Sequence, residues 1–314
     1  MSAPETTETA PEYSVVVPVY ESVETVEELV DRLATVFDDQ LQASYEVILV
    51  DDGSKSPETW PMLERLATEV PAVSAVRLTR NFGKASAIIC GFERARGQWV
   101  ITMDDDLQHL PEDLPRMVAQ RDHDVVMGKY RQRRHPFLKR LTSRIKNWFD
   151  SALAGKPRDL VSNPYRVHKA SVIQAICRMQ GPYPFISAMM YYATHDIVQV
   201  EVEHGERTGR PSQFNLRRRL KSYTNLIINR SAFLIRAATI LGLTISMVAV
   251  GAGLYLLIDG VVGDGSSGWN ALLVALTFTN GMVLFALGVV GEYATRILVG
   301  VERRPPYLVR ETIG

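Results

Sequence analysis

Between residues 13 and 130 the chain alternates short apolar runs with longer amphipathic stretches. The apolar runs fall at 14–19, 46–50, 73–78, 99–103 and 125–127, and helical periodicity fills about 24–41, 57–69, 84–96 and 112–121. Such runs, separated by helices, are the pattern of strands buried on both faces of a sheet. The expected fold class is α/β, a Rossmann-like domain with a mainly parallel sheet. A later alternating run at 197–202 (IVQVEV) predicts an edge strand.

The last third of the chain breaks this pattern. Residues 237–258 are 22 positions without a charge, and 271–291 are 21 more. Each reaches the ~20 residues needed to cross ~30 Å of hydrocarbon, so a C-terminal two-helix transmembrane hairpin is expected. Its connector, 259–270, holds two aspartates and no lysine or arginine, whereas 207–236 carries eight basic residues and no acidic one. Arg296, Arg303, Arg304 and Arg310 follow the second run. The positive-inside rule then places both termini and the α/β domain in the cytoplasm, on a multi-pass protein of the inner or plasma membrane.

Two basic amphipathic stretches adjoin the hairpin. Phe137, Leu141, Ile145, Trp148, Phe149 and Leu153 recur at helical spacing within about 136–153, and 211–235 is a second basic helix leading into the first span. Helices of this kind lie in the headgroup layer of a membrane. The expected division is a disordered polar tail (1–11), a catalytic domain (12–210), a juxtamembrane helix (211–235), two spans (within 236–300) and a cytoplasmic tail (301–314). Gly251, Gly253 and Gly281 within the spans allow close helix contact, in the hairpin itself or in a homo-oligomer.

Composition narrows the function classes. The 314 residues carry 35 basic and 35 acidic side chains, a formal net charge of zero that argues against a nucleic-acid partner. Cys90 and Cys177 are the only cysteines, and the six histidines show no ligand spacing, so a disulfide scaffold and a zinc module are not expected.

The candidate chemistry lies at three strand ends. Glu21 follows the first predicted strand, Asp51 and Asp52 the second, and Asp104, Asp105 and Asp106 the fourth. In an open parallel sheet this edge is where ligands bind. Carboxylates gathered there repel one another unless a cation or hydrogen-bond donors offset them. Hard divalent cations such as Mg²⁺ take oxygen ligands and are commonly shared with phosphate oxygens. There is no G-x-G-x-x-G and no G-x-x-x-x-G-K-[ST] in the chain, so neither a dinucleotide fold nor a P-loop is expected. A nucleotide-sugar, whose diphosphate leaves with the help of a metal, suits the pattern.

The motifs VVVPVYE (15–21), LVDDGS (49–54), RNFGK (80–84) and MDDDLQ (103–108) resemble the inverting family 2 glycosyltransferases with a GT-A fold. With GVVGEYATRI (288–297) and ERRPPYLVRE (302–311), the chain is similar to the polyisoprenyl-phosphate glycosyltransferases, the group containing dolichol-phosphate mannose synthase and bacterial glucosyl and aminoarabinosyl relatives. The resemblance covers about 13–311. It implies that Pro18, Tyr20, Asp51 and Asp52 hold the base and ribose, with Asp105 at the nucleotide. Asp104 and Asp106 form a D-x-D pair and Gln108 a further ligand to Mg²⁺ or Mn²⁺. Arg80 and Lys84 support the nucleotide or its phosphates. Arg131, Arg133 and Arg207 meet the sugar diphosphate or the acceptor phosphate, and Arg131 and Arg207 join the D-x-D pair in catalysis.

Three departures from the pattern touch donor and acceptor geometry. Ser22 stands where relatives have glutamate, leaving Glu21 to substitute. Gln213 replaces a phosphate-facing lysine, with Arg210 three residues away. Asn163-Pro164-Tyr165-Arg166 stands for a D-F-R or G-F-R element.

The expected reaction is inverting transfer from a UDP- or GDP-linked sugar to a polyisoprenyl phosphate, undecaprenyl or dolichyl, at the cytoplasmic membrane face. A flippase or a lipid-linked-sugar transferase would act downstream. Transfer to a glycolipid, protein or polysaccharide is the enzymatic alternative. A non-catalytic nucleotide-sugar-binding scaffold is the other.

Overall fold

All seven residues of β1 (Tyr13–Val19) are buried. Val15, Val17 and Val19 pack into one hydrophobic cluster and Val16 into another, as the two-residue period of a strand requires. In the computed structural model, residues 10–130, 160–179, 184–205 and 305–314 are described, with a set of positions between 272 and 301. The chain divides into two units, residues 1–214 with 305–314, and residues 215–304.

In the first unit β1 is followed by α1 (Val26–Thr35), β2 (Tyr45–Asp51), α2 (Thr59–Glu69), β3 (Val73–Leu78), α3 (Lys84–Phe92) and β4 (Trp99–Thr102). Then come α4 (Leu114–Val118), β5 (Val125–Tyr130), β6 (Arg166–Lys169), α5 (Ala170–Arg178), α6 (Ile186–Ala193), β7 (Ile197–Val202) and β8 (Val309–Ile313). One eight-stranded sheet runs β7-β5-β6-β4-β1-β2-β3-β8. Helices α1, α2 and α4 cover one face, and α3, α5 and α6 the other.

Strands β4, β1, β2 and β3 pair in parallel, as expected from the alternation of runs and helices. The flanks depart from that expectation. Strand β6 inserts antiparallel between β4 and β5, and β8 closes the other side antiparallel to β3. The sheet is therefore mixed. Strand β6 reads RVHK and has no apolar run to reveal it, yet Arg166, Val167 and His168 are all buried. Strand β7 pairs in parallel with β5 and has no neighbour on its other side among the described residues, so it is an edge strand, as its alternation predicts.

The tail expected at 301–314 instead supplies β8. A register irregularity beside Arg77 and Leu78 sends Val309 and Ile313 to opposite faces of the sheet, where each joins a core cluster. The first span, 237–258, and the amphipathic stretches at 136–153 and 211–235 lie outside the described residues. Among the described residues no helix is long and apolar enough to cross a membrane. The described positions from 272 to 301 are helical, and Leu272, Leu276, Val283, Val290, Ile297 and Val301 expose apolar side chains.

His168 bears directly on stability. It is fully buried, its ring lies edge-on to Phe92 at 5.7 Å, and its Nε2 has no hydrogen-bond partner among the described residues. Burial, reinforced by the nearby Arg166 charge, pushes its pKa down to about 3. An unfolded histidine takes its proton near 6.5. The stability from the neutral ring is therefore complete above pH 6.5 and is lost as pH falls towards 3. Between pH 6.5 and 5 the loss is about 2 kcal/mol. His168→Leu is expected to flatten the fall in thermal midpoint between pH 7 and 5, and thermal melts at the two pH values measure it. Asp52 and Asp105, both raised to about 6, work in the opposite sense, so the comparison of variant with parent isolates the histidine.

Candidate active site

Because β4, β1 and β2 run side by side in parallel, their C-terminal ends open on one edge. Register sets Val19 beside Asp51 and Val16 beside Thr102, so β4 leaves the ladder before β1 does. Val19 accepts the Asp52 N–H on the β2 side. Alternation therefore aims Pro18 towards β4, which has already ended, and its missing N–H costs no ladder bond. Strand order reverses direction here, with β2 and β3 on one side of β1 and β4 on the other. Ligands of open α/β sheets bind at such a switch point.

Two loops close one wall. Asp51 is fully buried; its Oδ1 accepts the Ser54 N–H at 2.8 Å, and Arg77 Nε stands 3.6 Å from its Oδ2. The Asp52 carboxylate accepts the Phe82 N–H at 2.8 Å and the Gly83 N–H at 2.9 Å. Burial pushes the Asp52 pKa up to about 6, with these two donors opposing the shift. It is a clamp on the turn that starts α3. Gly53 is the one residue type that fits between these loops: its φ is +64°, and a Cβ there would lie 2.3 Å from the Arg80 carbonyl carbon. Arg80 itself is exposed, its guanidinium 4.2 Å from the Phe82 ring centre.

Glu21 adopts a left-handed conformation (φ +58°), and its N–H donates to Ser54 Oγ at 2.9 Å. Its Oε1 accepts the Lys55 N–H at 2.7 Å. Glu21, expected to stand in for a missing glutamate, thus ties the first strand end to the second. Tyr20 is half-buried beside it, and its N–H bonds the Asp105 carboxylate.

The third strand end carries the acidic triplet. Asp104 accepts a hydrogen bond from Lys84 Nζ at its Oδ1 and donates its own N–H to His109 Nδ1 at 2.9 Å. Burial alone would raise the Asp104 pKa, but Lys84, then His109 and Arg166, outweigh it and hold the group below the usual carboxylate range. Asp105 is pushed up to about 6 by burial and by Asp104, and its carbonyl accepts the Thr25 hydroxyl. Asp106 Oδ1 accepts the Gln108 N–H at 3.3 Å. Asp104 and Asp106 both act on the His109 ring and on the Tyr130 phenol, so their charges face the same neighbours. Leu107 takes a left-handed turn (φ +56°) that brings Gln108 round, and the Gly205 N–H donates to the Gln108 carbonyl at 3.2 Å.

Several residues that shape the site were invisible to the spacing argument. His109 is buried and stacks on Tyr165 at 5.0 Å; burial lowers its pKa, which suits a neutral ring accepting a backbone N–H. Tyr130 stacks on His204 at 4.4 Å. Arg166 is a buried cation, its Nε donating to the Asn163 carbonyl and an Nη to Ser187 Oγ at 2.7 Å. No motif spacing marks an N–H acceptor five residues after an aspartate. Arg131, Arg133, Arg207 and Arg210 lie outside the described residues.

The donor set fits a hard cation. It offers carboxylate oxygens from Asp104 and Asp106 and the amide of Gln108, and the Lys84 ammonium already stands on Asp104. Among the described residues no group of three His, Cys, Asp or Glu side chains is arranged to hold a metal ion by itself, so the remaining ligands of such an ion would come from substrate or solvent.

An open α/β sheet with acidic strand ends gathered at its switch point has the layout of a class of ligand-binding α/β enzymes, and the family match narrows it. The chain belongs to glycosyl transferase family 2, whose model matches residues 14–175, and it is a glycosyltransferase. It is 30% identical over 280 residues to the undecaprenyl-phosphate 4-deoxy-4-formamido-L-arabinose transferase of Aeromonas hydrophila, covering 88% of this chain and 86% of that one. The Serratia proteamaculans enzyme of the same name is 32% identical over 282 residues, with the same coverage of each chain. Among solved structures, glucosyl-3-phosphoglycerate synthase of Mycobacterium tuberculosis, in complex with Mn²⁺, UDP and glucosyl-3-phosphoglycerate, superposes with a TM-score of 0.51. It is 17% identical and covers 69% of this chain and 78% of that one, a likeness of fold.

Proposed function

We propose that the protein transfers a sugar from a nucleotide-sugar to a polyisoprenyl phosphate at the cytoplasmic face of a membrane. The observation that carries this reading is the meeting of Asp52, Lys84 and the Asp104–Asp106 carboxylates at one sheet edge. The undecaprenyl-phosphate transferases similar to the chain over 88% of its length supply the acceptor class.

The reaction asks little acid–base chemistry of the protein. A lipid phosphate is already an anion near pH 7, since its ester proton leaves at about pH 6 or below. Its oxygen forms a bond to the anomeric carbon while the bond from that carbon to the diphosphate oxygen breaks. Configuration inverts, and the nucleoside diphosphate leaves with the electron pair. Asp104, Asp106 and Gln108 would hold Mg²⁺ or Mn²⁺, which supplies Lewis-acid neutralisation of the leaving diphosphate. Pro18, Tyr20, Asp51, Asp52 and Asp105 frame the nucleotide, and Lys84 and Arg80 flank its phosphates. Arg131, Arg133, Arg207 and Arg210 are proposed for the sugar diphosphate and the acceptor phosphate, aligning nucleophile and leaving group.

Topology supports the membrane part. Strand β8 lies in the same sheet as β1–β7, so the chain that departs after β7 must return to the side it left. Any crossings between 206 and 304 therefore come in an even number, which is compatible with two spans; the cytoplasmic side follows from the basic flanks alone. The apolar side chains exposed at Leu272, Leu276, Val283 and Val290 suit a lipid-facing second span at 271–291.

Membranes containing the protein, incubated with undecaprenyl phosphate and Mg²⁺ or Mn²⁺, test this on a panel of labelled UDP- and GDP-sugars that includes UDP-4-deoxy-4-formamido-L-arabinose. Butanol-extractable label dependent on added lipid phosphate is expected. Label confined to polymer or protein would overturn the acceptor assignment, and metal-dependent nucleotide binding without turnover on any donor would overturn catalysis.

A further inference from the structure

Lys84 is the first residue of α3, at the positive end of that helix. Cations are disfavoured there by the aligned peptide dipoles, and lysine is ordinarily found at the other terminus. The N–H groups of Phe82 and Gly83 that lead into the helix are already taken by Asp52. What local geometry offers the ammonium is the Asp104 carboxylate, on which it stands.

Lys84 and Arg166, the lysine and arginine cations that act on Asp104, differ in freedom. Arg166 is 4% exposed and pinned by Asn163 and Ser187, so it is a fixed charge. The Lys84 side chain is 49% exposed on a flexible stem, against 24% for Asp104, so its ammonium can leave without disturbing the core. It bonds Asp104 Oδ1, an oxygen of the first carboxylate in the proposed metal set. A divalent ion on that oxygen and an ammonium hydrogen-bonded to it would repel at close range.

We infer that Lys84 is a resident counter-ion of Asp104 that is exchanged when the site loads, so that the metal ion and a nucleoside diphosphate bind together rather than in turn. This inference rests on the metal–diphosphate reading of the site given above. With metal alone, Lys84 must give up its carboxylate and gain nothing. With a diphosphate present, the displaced ammonium moves to a phosphate oxygen beside the α3 N-terminus, where negative charge is favoured. Each ligand then raises the affinity of the other by the same factor. The arrangement would keep the Asp104 charge offset between turnovers and would make free Mg²⁺ or Mn²⁺ a poor occupant of the site.

Mn²⁺ binding to the full chain in detergent, followed by electron paramagnetic resonance with and without UDP or GDP, tests the exchange. The parent is expected to bind Mn²⁺ about tenfold or more tightly with the matching diphosphate than without it. Lys84→Met is expected to bind Mn²⁺ alone about tenfold more tightly than the parent and to show a coupling below about threefold, with kcat/KM reduced. Lys84→Arg, which keeps the charge, is expected to retain most of the coupling. Thermal melts that match the parent's establish that each variant is folded. Lys84→Met binding Mn²⁺ alone no more tightly than the parent, while the parent still binds it with UDP or GDP, overturns the counter-ion role and leaves the metal reading standing. A parent that binds no Mn²⁺ under either condition overturns that reading and this inference together.

Discussion

Asp104→Asn is expected to lower kcat by about 10³-fold, the cost of removing one preorganised charge from a site that stabilises a leaving anion. The substitution is chosen to leave the fold alone. The Asp104 N–H still reaches His109, and an amide oxygen still accepts from Lys84, so the stacked rings around His109 stay in place. What changes is charge, and with it the grip on the cation and the departing diphosphate. Asp106→Asn should behave alike. Asp105→Asn should cost far less, because Asp105 lies between two carboxylates, accepts the Tyr20 N–H and has its pKa raised to about 6. Turnover of labelled nucleotide-sugar into butanol-extractable product, with a Mn²⁺ titration for each variant, measures the series. Asp104→Asn activity above a tenth of the parent's would sink the assignment of the D-x-D pair.

The order of those three effects depends on features with unequal visibility in the sequence. The parallel strands β1 to β4 could be read from apolar runs because strands covered on both faces must be apolar throughout. The acidic strand ends could be read because each follows such a run directly. Strand β6 could not, since a buried Arg166 and His168 break the pattern, and each takes a partner from elsewhere in the fold, Ser187 for Arg166 and the Val100 carbonyl for His168. The same holds for His109, which serves the site as a backbone acceptor inside an aromatic stack, a role with no composition signal. Glu21 was legible as a site residue, but its carboxylate is spent on the Lys55 N–H, a bond that depends on how two loops meet. Strand β8 escaped notice because it has few apolar residues and pairs with a strand more than two hundred residues away.

That last pairing gives the second large effect. A chain ending at Arg304 is expected to lose about 10 °C in thermal midpoint and to self-associate. Removing 305–314 strips β3 of its ladder with β8 and of the Thr79 N–H bond to the Leu308 carbonyl. It also removes Tyr307, whose hydroxyl bonds Glu93 and whose ring lies under the Arg94 guanidinium, and Glu311, 3.8 Å from Arg77. With each net hydrogen bond worth about 1 kcal/mol, the loss is on the order of 3–5 kcal/mol. In a domain of this size that corresponds to a fall of about 10 °C. The bared edge is VSAVRL, whose residues are largely buried, and an apolar open edge recruits a second chain. Thermal melts and size-exclusion chromatography in one detergent decide the matter, and a midpoint within 2 °C of the parent's would show that β8 does not hold the sheet. The physical reason to expect otherwise is that β8 and Tyr307 hold β3 and α3 through contacts that nothing else among the described residues replaces. Strand β3 is made early but is completed only after everything through residue 308 has been laid down. The sheet of the catalytic domain is therefore complete only once residues 309–313 have been made.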